Sequence, residues 1–213
     1  FQLAAVTTVV LLFIAIPLGW WLAFTHARLR PVVEALTALP LVLPPTVMGF
    51  YLLLVMSPNS ILGGFWLEVT DTTLTFSFSG LVIASVFYSL PFAVQPIQAA
   101  FQAVGRAPLE AAATLRAGPI DRFFTIAIPQ ARRGLLTATV LSFTHTMGEF
   151  GVVLMVGGNI PDRTRVVSIA IYEHVETLDY AQAHWLSAIL LALSFSVLLI
   201  VYCLDRQAPV RVS

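Results

Sequence analysis

Long apolar runs alternate along this chain with short segments that hold nearly all of its charge, and five of the runs are long enough to cross a bilayer. Leu3–Phe24 carries no ionisable residue over 22 positions, about 33 Å of helix against a hydrocarbon core of about 30 Å. Trp20 and Trp21 near its end suit the membrane interface, and Arg28 and Arg30 follow at once, which predicts a cytoplasmic exit. The second run, Ala35–Met56, contains Pro40, Pro44, Pro45 and Gly49. Prolines remove backbone donors, so this span is expected to kink or unwind with its freed carbonyls turned to the bundle interior. Either substrate contact or a kink that only shapes packing satisfies that pattern.

Ser57–Ser79 is polar, acidic at Glu68 and Asp71, and free of basic residues, which places it outside. Thr73–Ser79 alternates like a strand, but with no partner strand Phe76 and Phe78 read better as interfacial anchors. Span three, Gly80–Phe101, brings Ser89, Gln95 and Gln98 into the membrane, where amides either line a pathway or bond between helices. Span four, Gly134–Val156, holds Ser142, Thr144, Thr146 and Glu149, with Gly148 and Gly151 on either side of the glutamate. Glu149 is the one acidic residue within the five spans. Intramembrane carboxylates are functional candidates, and this one suits a cap, a local pair or a gate better than substrate contact. Gly157–His184 is a second outer segment in which Val166–Val175 is apolar but too short to span, as in a re-entrant or interfacial helix. Span five runs Trp185–Leu204.

Between spans three and four lies EAAATLRAGPIDRFFTIAIP, residues 110–129. Pro108 is placed to open a helix and Glu110 to complement its dipole, with Gly118 and Pro119 as the expected stop. Pro119 then opens a second short helix in which Ile120, Phe123, Phe124 and Ala127 form one apolar face, until Pro129 interrupts it. The expectation is an elbow over residues 106–130 that packs its apolar side on the bundle and presents the turn from Arg116 to Asp121. An ordinary amphipathic loop has the same pattern.

Composition fixes the class. The 213 residues are 58% hydrophobic and 10% charged, with mean hydropathy +0.89, too apolar for a soluble domain of this size. The expected fold is an all-α polytopic membrane protein forming one domain over residues 1–213. Net charge is zero and every basic residue is arginine, so nothing points to nucleic acid. The arginines are nevertheless polarised: nine flank the inner segments, and only Arg163 and Arg165 lie outside. That asymmetry predicts an outer N-terminus, a cytoplasmic C-terminus and a cytoplasmic elbow. The first run lacks preceding basic residues and a small-residue cleavage site, and reads as a span rather than a signal peptide. Cys203 is the sole cysteine, which excludes an internal disulfide. No phosphate-binding loop, CxxC or HExxH is present, and His26, His145, His174 and His184 are scattered.

Glu110, Ala111 and Ala112, with Ile126, Ile128 and Pro129 beyond, resemble the EAA signature of ABC-importer permeases. In that family the loop docks on the ATPase subunits. The family's usual glycine six residues after the glutamate is replaced by Arg116, with Gly118 two residues on. Three further stretches, LVLPPTVMGFYLL, FYSLPFAVQPIQAAF and MGEFGVVLMVGGNIP with RTRVVSIAIY, resemble the molybdate and tungstate permeases of the molybdate and sulfate importer group. Sulfate permeases share the plan and stand as the alternative cargo. The resemblance implies a type I importer fold in the bacterial inner membrane and a homodimer with a pathway at its interface. It also implies two ATP-binding cassette subunits below, which hold ATP and magnesium, and a periplasmic oxyanion-binding protein above. Coupling would pass through Glu110, Ala111, Ala112, Arg116, Gly118 and Pro129.

A permeating dianion is better served by neutral donors than by arginines, which would hold it. Thr46, Ser142, Thr144 and Thr146 are therefore pathway candidates, joined by Gln95, Glu149 and Asn159 as pathway or gate residues. An ATP-independent secondary transporter is the competing class, disfavoured by the odd span number, the missing inverted repeat and the elbow. A membrane enzyme would need a catalytic constellation, and none assembles.

Overall fold

The computed structural model describes residues 1–206. Among these the chain is helical throughout, without strands. Three helices are long and apolar enough to cross a membrane: α1 (Gln2–Phe24), α5 (Phe78–Val104) and α11 (Tyr180–Arg206). Two further pairs of helices are long and apolar enough when taken together, but each is sharply bent at a short break.

In the first pair, α2 (Arg30–Ala38) runs into a 3₁₀ turn at Leu39–Leu41, breaks, and resumes as α3 (Pro45–Met56) at 112° to its former direction. Span two is thus not one helix over residues 35–56. Pro44 is extended (φ −55°, ψ 138°) because the proline after it disfavours the helical region, and Pro45 restarts the helix at a position where no donor is needed. The second pair is α8 (Ile128–Gly148) and α9 (Gly151–Gly157), bent by 61° at Glu149–Phe150. The helix at span four therefore begins six residues before Gly134 and breaks at Glu149–Phe150 instead of running unbroken to Val156.

Outside the crossings lie α4 (Ile61–Thr70), α6 (Ala107–Thr114), α7 (Pro119–Arg122) and α10 (Val167–Glu176). The polar segment Ser57–Ser79 contains α4, whose start is fixed by the Gly63 N–H donating to Ser60 Oγ at 2.9 Å. The strand-like alternation of residues 73–79 forms no strand. Phe76 takes a left-handed φ of 57°, its N–H donates to the Val156 carbonyl at 2.9 Å, and Ser77 caps α5 through the Gly80 N–H.

The main core lies where α1, α5 and α8 pack, with Leu11, Leu22, Ala93, Ile97, Phe101 and Ala138 buried. A second core joins α3, α5 and α9 through Met56, Ala84, Val152 and Val156. Trp20 at the end of α1 meets Phe101 and Phe123 edge to face, with centroids 5.1 Å apart in both cases. That aromatic cluster fixes the elbow to the bundle.

Candidate functional site

Two regions bear on function, and α8 connects them. The first is the elbow. α6 carries Glu110 in its first turn and ends at Thr114, because Arg116 adopts the left-handed conformation with φ 65°. Arg116 N–H and Ala117 N–H then donate to the carbonyls of Ala113 and Ala112, closing the helix end. The stop therefore falls at Arg116 and not at Gly118, which is extended (φ −68°, ψ 163°) and leads into α7. The backbone needs a left-handed residue where the resembled family has glycine, and arginine fills it at a steric cost.

Pro129 does not interrupt the second helix. A π turn at Phe123–Ala127 joins α7 to α8, the wider i→i+5 ladder absorbing the donor that Pro129 lacks. The expected single apolar face is divided in two. Phe123 and Ala127 pack into the core, whereas Ile120 and Phe124 are 75% and 63% exposed beside Leu115 at 83%. Glu110 and Ala111 are exposed, Ala112 is half-buried, and Leu109 beneath them is buried. Arg122 straps the elbow together by donating to the Leu109 carbonyl at 3.2 Å. Arg106 does the same across elements, reaching the Phe24 carbonyl at 3.0 Å and His26 at 2.7 Å.

The second region is a concavity of about 590 Å³ at the junction of the two broken spans. Pro45 and Thr46 open α3 on one side. Thr144, His145 and the break residues Gly148 to Gly151 form the other, and Tyr88 of α5 supplies the back. The breaks meet because α3 and α9 lie in unusually close contact. A Cβ on Gly49 would come within 2.7 Å of Met155 Cβ, and one on Gly151 within 2.6 Å of Pro45 Cβ. Only glycine permits that approach.

Glu149 stands at the centre of this junction and is 5% exposed. Its Oε1 accepts the Val153 N–H at 3.1 Å, which caps α9, and its Oε2 accepts from Ser85 Oγ on α5 at 3.4 Å. Ser168 on α10 donates to its carbonyl. One residue thus ties four elements at the point where span four bends.

The remaining candidates separate. Thr46 and Thr144 line the concavity, but the Thr144 hydroxyl donates to the Val140 carbonyl at 2.8 Å and has no proton left to offer. Ser142 and Thr146 are buried in the α8 packing rather than at the concavity. The Thr146 hydroxyl pairs with Ser89 at 3.1 Å, and the Ser142 hydroxyl has no partner among the described residues. Gln95 is exposed on another face of α5. Asn159 belongs to a separate network, donating to Glu173 at 3.0 Å and accepting from Arg165 at 2.9 Å. Gln98 bonds between helices, donating to Glu34 of α2 at 2.8 Å. Tyr88 and His145 were not singled out by the sequence. The signal was there in the spacing of Ser85, Ser89 and Phe92 on α5 and of His145, Gly148 and Glu149 on α8, each set one helical face. Among the described residues no group of three or more His, Cys, Asp or Glu side chains converges as a metal site would require.

A polytopic helical bundle whose paired half-helices enclose a concavity, joined by one helix to an exposed elbow, is the architecture of a transport component. The chain belongs to the family of binding-protein-dependent transport system inner membrane components, whose model matches residues 15–209. It is 57% identical over 205 residues to the molybdenum transport system permease protein ModB of Azotobacter vinelandii, covering 96% of this chain and 91% of that one. Similarity to the molybdenum transport system permease protein ModB of Escherichia coli K12 is 34% over 167 residues, 76% of this chain and 73% of the relative. The sulfate transport system permease protein CysT of the same organism is 32% identical over 195 residues, 92% of this chain and 70% of the relative.

Proposed function

We propose that this chain is the permease subunit of an ATP-driven importer of molybdate or tungstate, passing the anion from a soluble binding protein to the cytoplasm by alternating access. The observation that carries the reading is the 57% identity to a molybdenum permease, which extends over nearly the whole of both chains. Sulfate is the second reading, supported by the more distant sulfate permeases of the same plan.

The chain works as a homodimer, with the open side of the concavity facing the dimer axis. Its N-terminus lies outside and its C-terminus inside, an orientation supported by the arginine distribution; of those arginines, Arg211 lies outside the described residues. The ATPase, which alone holds ATP and magnesium, docks on the elbow. Leu115, Ile120 and Phe124 form the apolar contact, with Glu110, Ala111, Ala112, Arg116 and Gly118 shaping it and Pro129 setting the π turn behind it. Such an exposed apolar cluster ringed by charge is what a protein contact requires. Helix α8 carries the movement inward, since its 21 residues make a rod of about 31 Å. At its far end Glu149 and the Gly148–Gly151 break bend, while α3 and α9 travel as one packed unit. Thr46 faces the passing ion. Thr144, Ser142 and Thr146 act through packing, Gln95 stands on an exposed face of α5 away from the concavity, and Asn159 braces the outer mouth.

The experiment is ATP hydrolysis by the permease co-purified with its ATPase in liposomes, with binding protein loaded with molybdate, tungstate, sulfate or nothing. Stimulation by the molybdate- or tungstate-loaded protein alone is expected. Stimulation by sulfate would keep the importer and change its cargo, and failure of any ATPase to co-purify would remove the elbow's docking role.

A further inference from the structure

His145 occupies the concavity without a role in the reading above. Its ring stacks on Phe92 with centroids 3.9 Å apart and planes inclined by 24°, and Tyr88 covers its edge at 5.2 Å. Ser89 Oγ sits 2.9 Å from its Nδ1 and 3.1 Å from Thr146 Oγ1. Ser89 is fully buried and Thr146 is 3% exposed, so neither hydroxyl is served by water.

That burial selects the direction of the chain. If Nδ1–H donated to Ser89 and Ser89 to Thr146, the Thr146 proton would be left buried with no acceptor, at a cost of about 1–3 kcal/mol. In the reverse order Thr146 donates to Ser89 and Ser89 donates to Nδ1, and every proton is used. The neutral ring then carries its own proton on Nε2, which makes no hydrogen bond to any described residue. The stacked imidazole thus has a fixed orientation and a spare donor at a concavity where the Thr144 hydroxyl is already committed to the Val140 carbonyl.

We propose that His145 is a hydrogen-bond donor to the tetrahedral oxyanion as it passes the junction of the broken spans. The inference rests on the reading of this concavity as an oxyanion pathway. A single neutral donor suits transit, because it offsets part of the ion's lost hydration without the fixed positive charge that would retain it.

The test is oxyanion uptake into proteoliposomes holding permease, ATPase and loaded binding protein, run with molybdate and with sulfate. His145→Phe keeps the stack and removes the donor, and is expected to lower uptake about tenfold, while ATP hydrolysis stimulated by loaded binding protein stays within about twofold of wild type. His145→Gln extends an amide donor towards the Nε2 position and is expected to keep a third or more of the uptake. His145→Phe transporting at the wild-type rate overturns the inference alone. Should His145→Phe fail to fold, His145→Gln and His145→Asn decide. The shorter amide reaches only the Nδ1 position and is expected to lose uptake, and equal or reversed rates overturn the proposal. Wild-type liposomes that carry neither anion remove the pathway reading and this inference with it.

Discussion

At the scale of single residues, Glu149 and Arg116 each do something their chemistry makes costly. Glu149 is a carboxyl at membrane depth, and what it supplies there is an acceptor for the Val153 N–H and for Ser85. Glu149→Gln keeps an oxygen at the cap and is expected to cost less than about 0.5 kcal/mol, whereas Glu149→Ala removes the cap for about 1–2 kcal/mol. Thermal melts of the detergent-solubilised permease check this, and equal losses would show that the charge, not the cap, holds the break. Arg116 pays a left-handed φ of 65° with a Cβ in place. Arg116→Gly is expected to stabilise the elbow by up to about 1 kcal/mol, read from the same melts. A lower melting temperature would mean that contacts of the arginine outweigh the strain. The glutamate was legible as a special residue because an acid in an apolar run is conspicuous. That the helix ends at Arg116 and not at Gly118 was not legible, since the glycine signal two residues on is the stronger one in sequence.

Among elements, the outer half-helices behave as a pair. α3 and α9 each follow a break and lie against one another through Gly49 and Gly151, so they share a rigid interface while their connections to α2 and α8 are bent. Gly49→Leu places a branched side chain where Met155 already sits, and overpacking of this kind costs about 1–3 kcal/mol. The expected outcome is a permease that still co-purifies with its ATPase but has lost most of its uptake, because the clash is far along the chain from the elbow. Loss of ATPase binding together with uptake would show that the two regions are not separable. Prolines announced a break in span two, yet its 112° angle could not be read, since a proline removes a hydrogen bond without fixing where the chain goes next. Likewise the periodicity of Ile120, Phe123, Phe124 and Ala127 was read as one buried face. The π turn rotates that face, so Phe123 enters the core and Phe124 leaves it.

For the whole molecule, the arginine asymmetry makes a topological claim that labelling can check. Arg116→Cys is expected to react with a membrane-impermeant maleimide only in inside-out vesicles, and Asp162→Cys only in intact spheroplasts, each in a chain whose native Cys203 has been replaced by Ser. The opposite pattern would invert the proposed orientation. The membrane class was determined by the sequence itself, because it follows from local composition: a span must be apolar over its length, and a charged segment must leave the bilayer. Which polar groups meet at the concavity was decided only by tertiary structure. Thr144, Ser142 and Thr146 look alike in sequence, but one spends its proton on the Val140 carbonyl, one is buried without a partner among the described residues, and one orients His145 through Ser89. The Thr146 hydroxyl and the His145 ring depend on Ser89, 57 and 56 residues away in the chain, and the packing of α5 against α8, not any local pattern, brings them within reach.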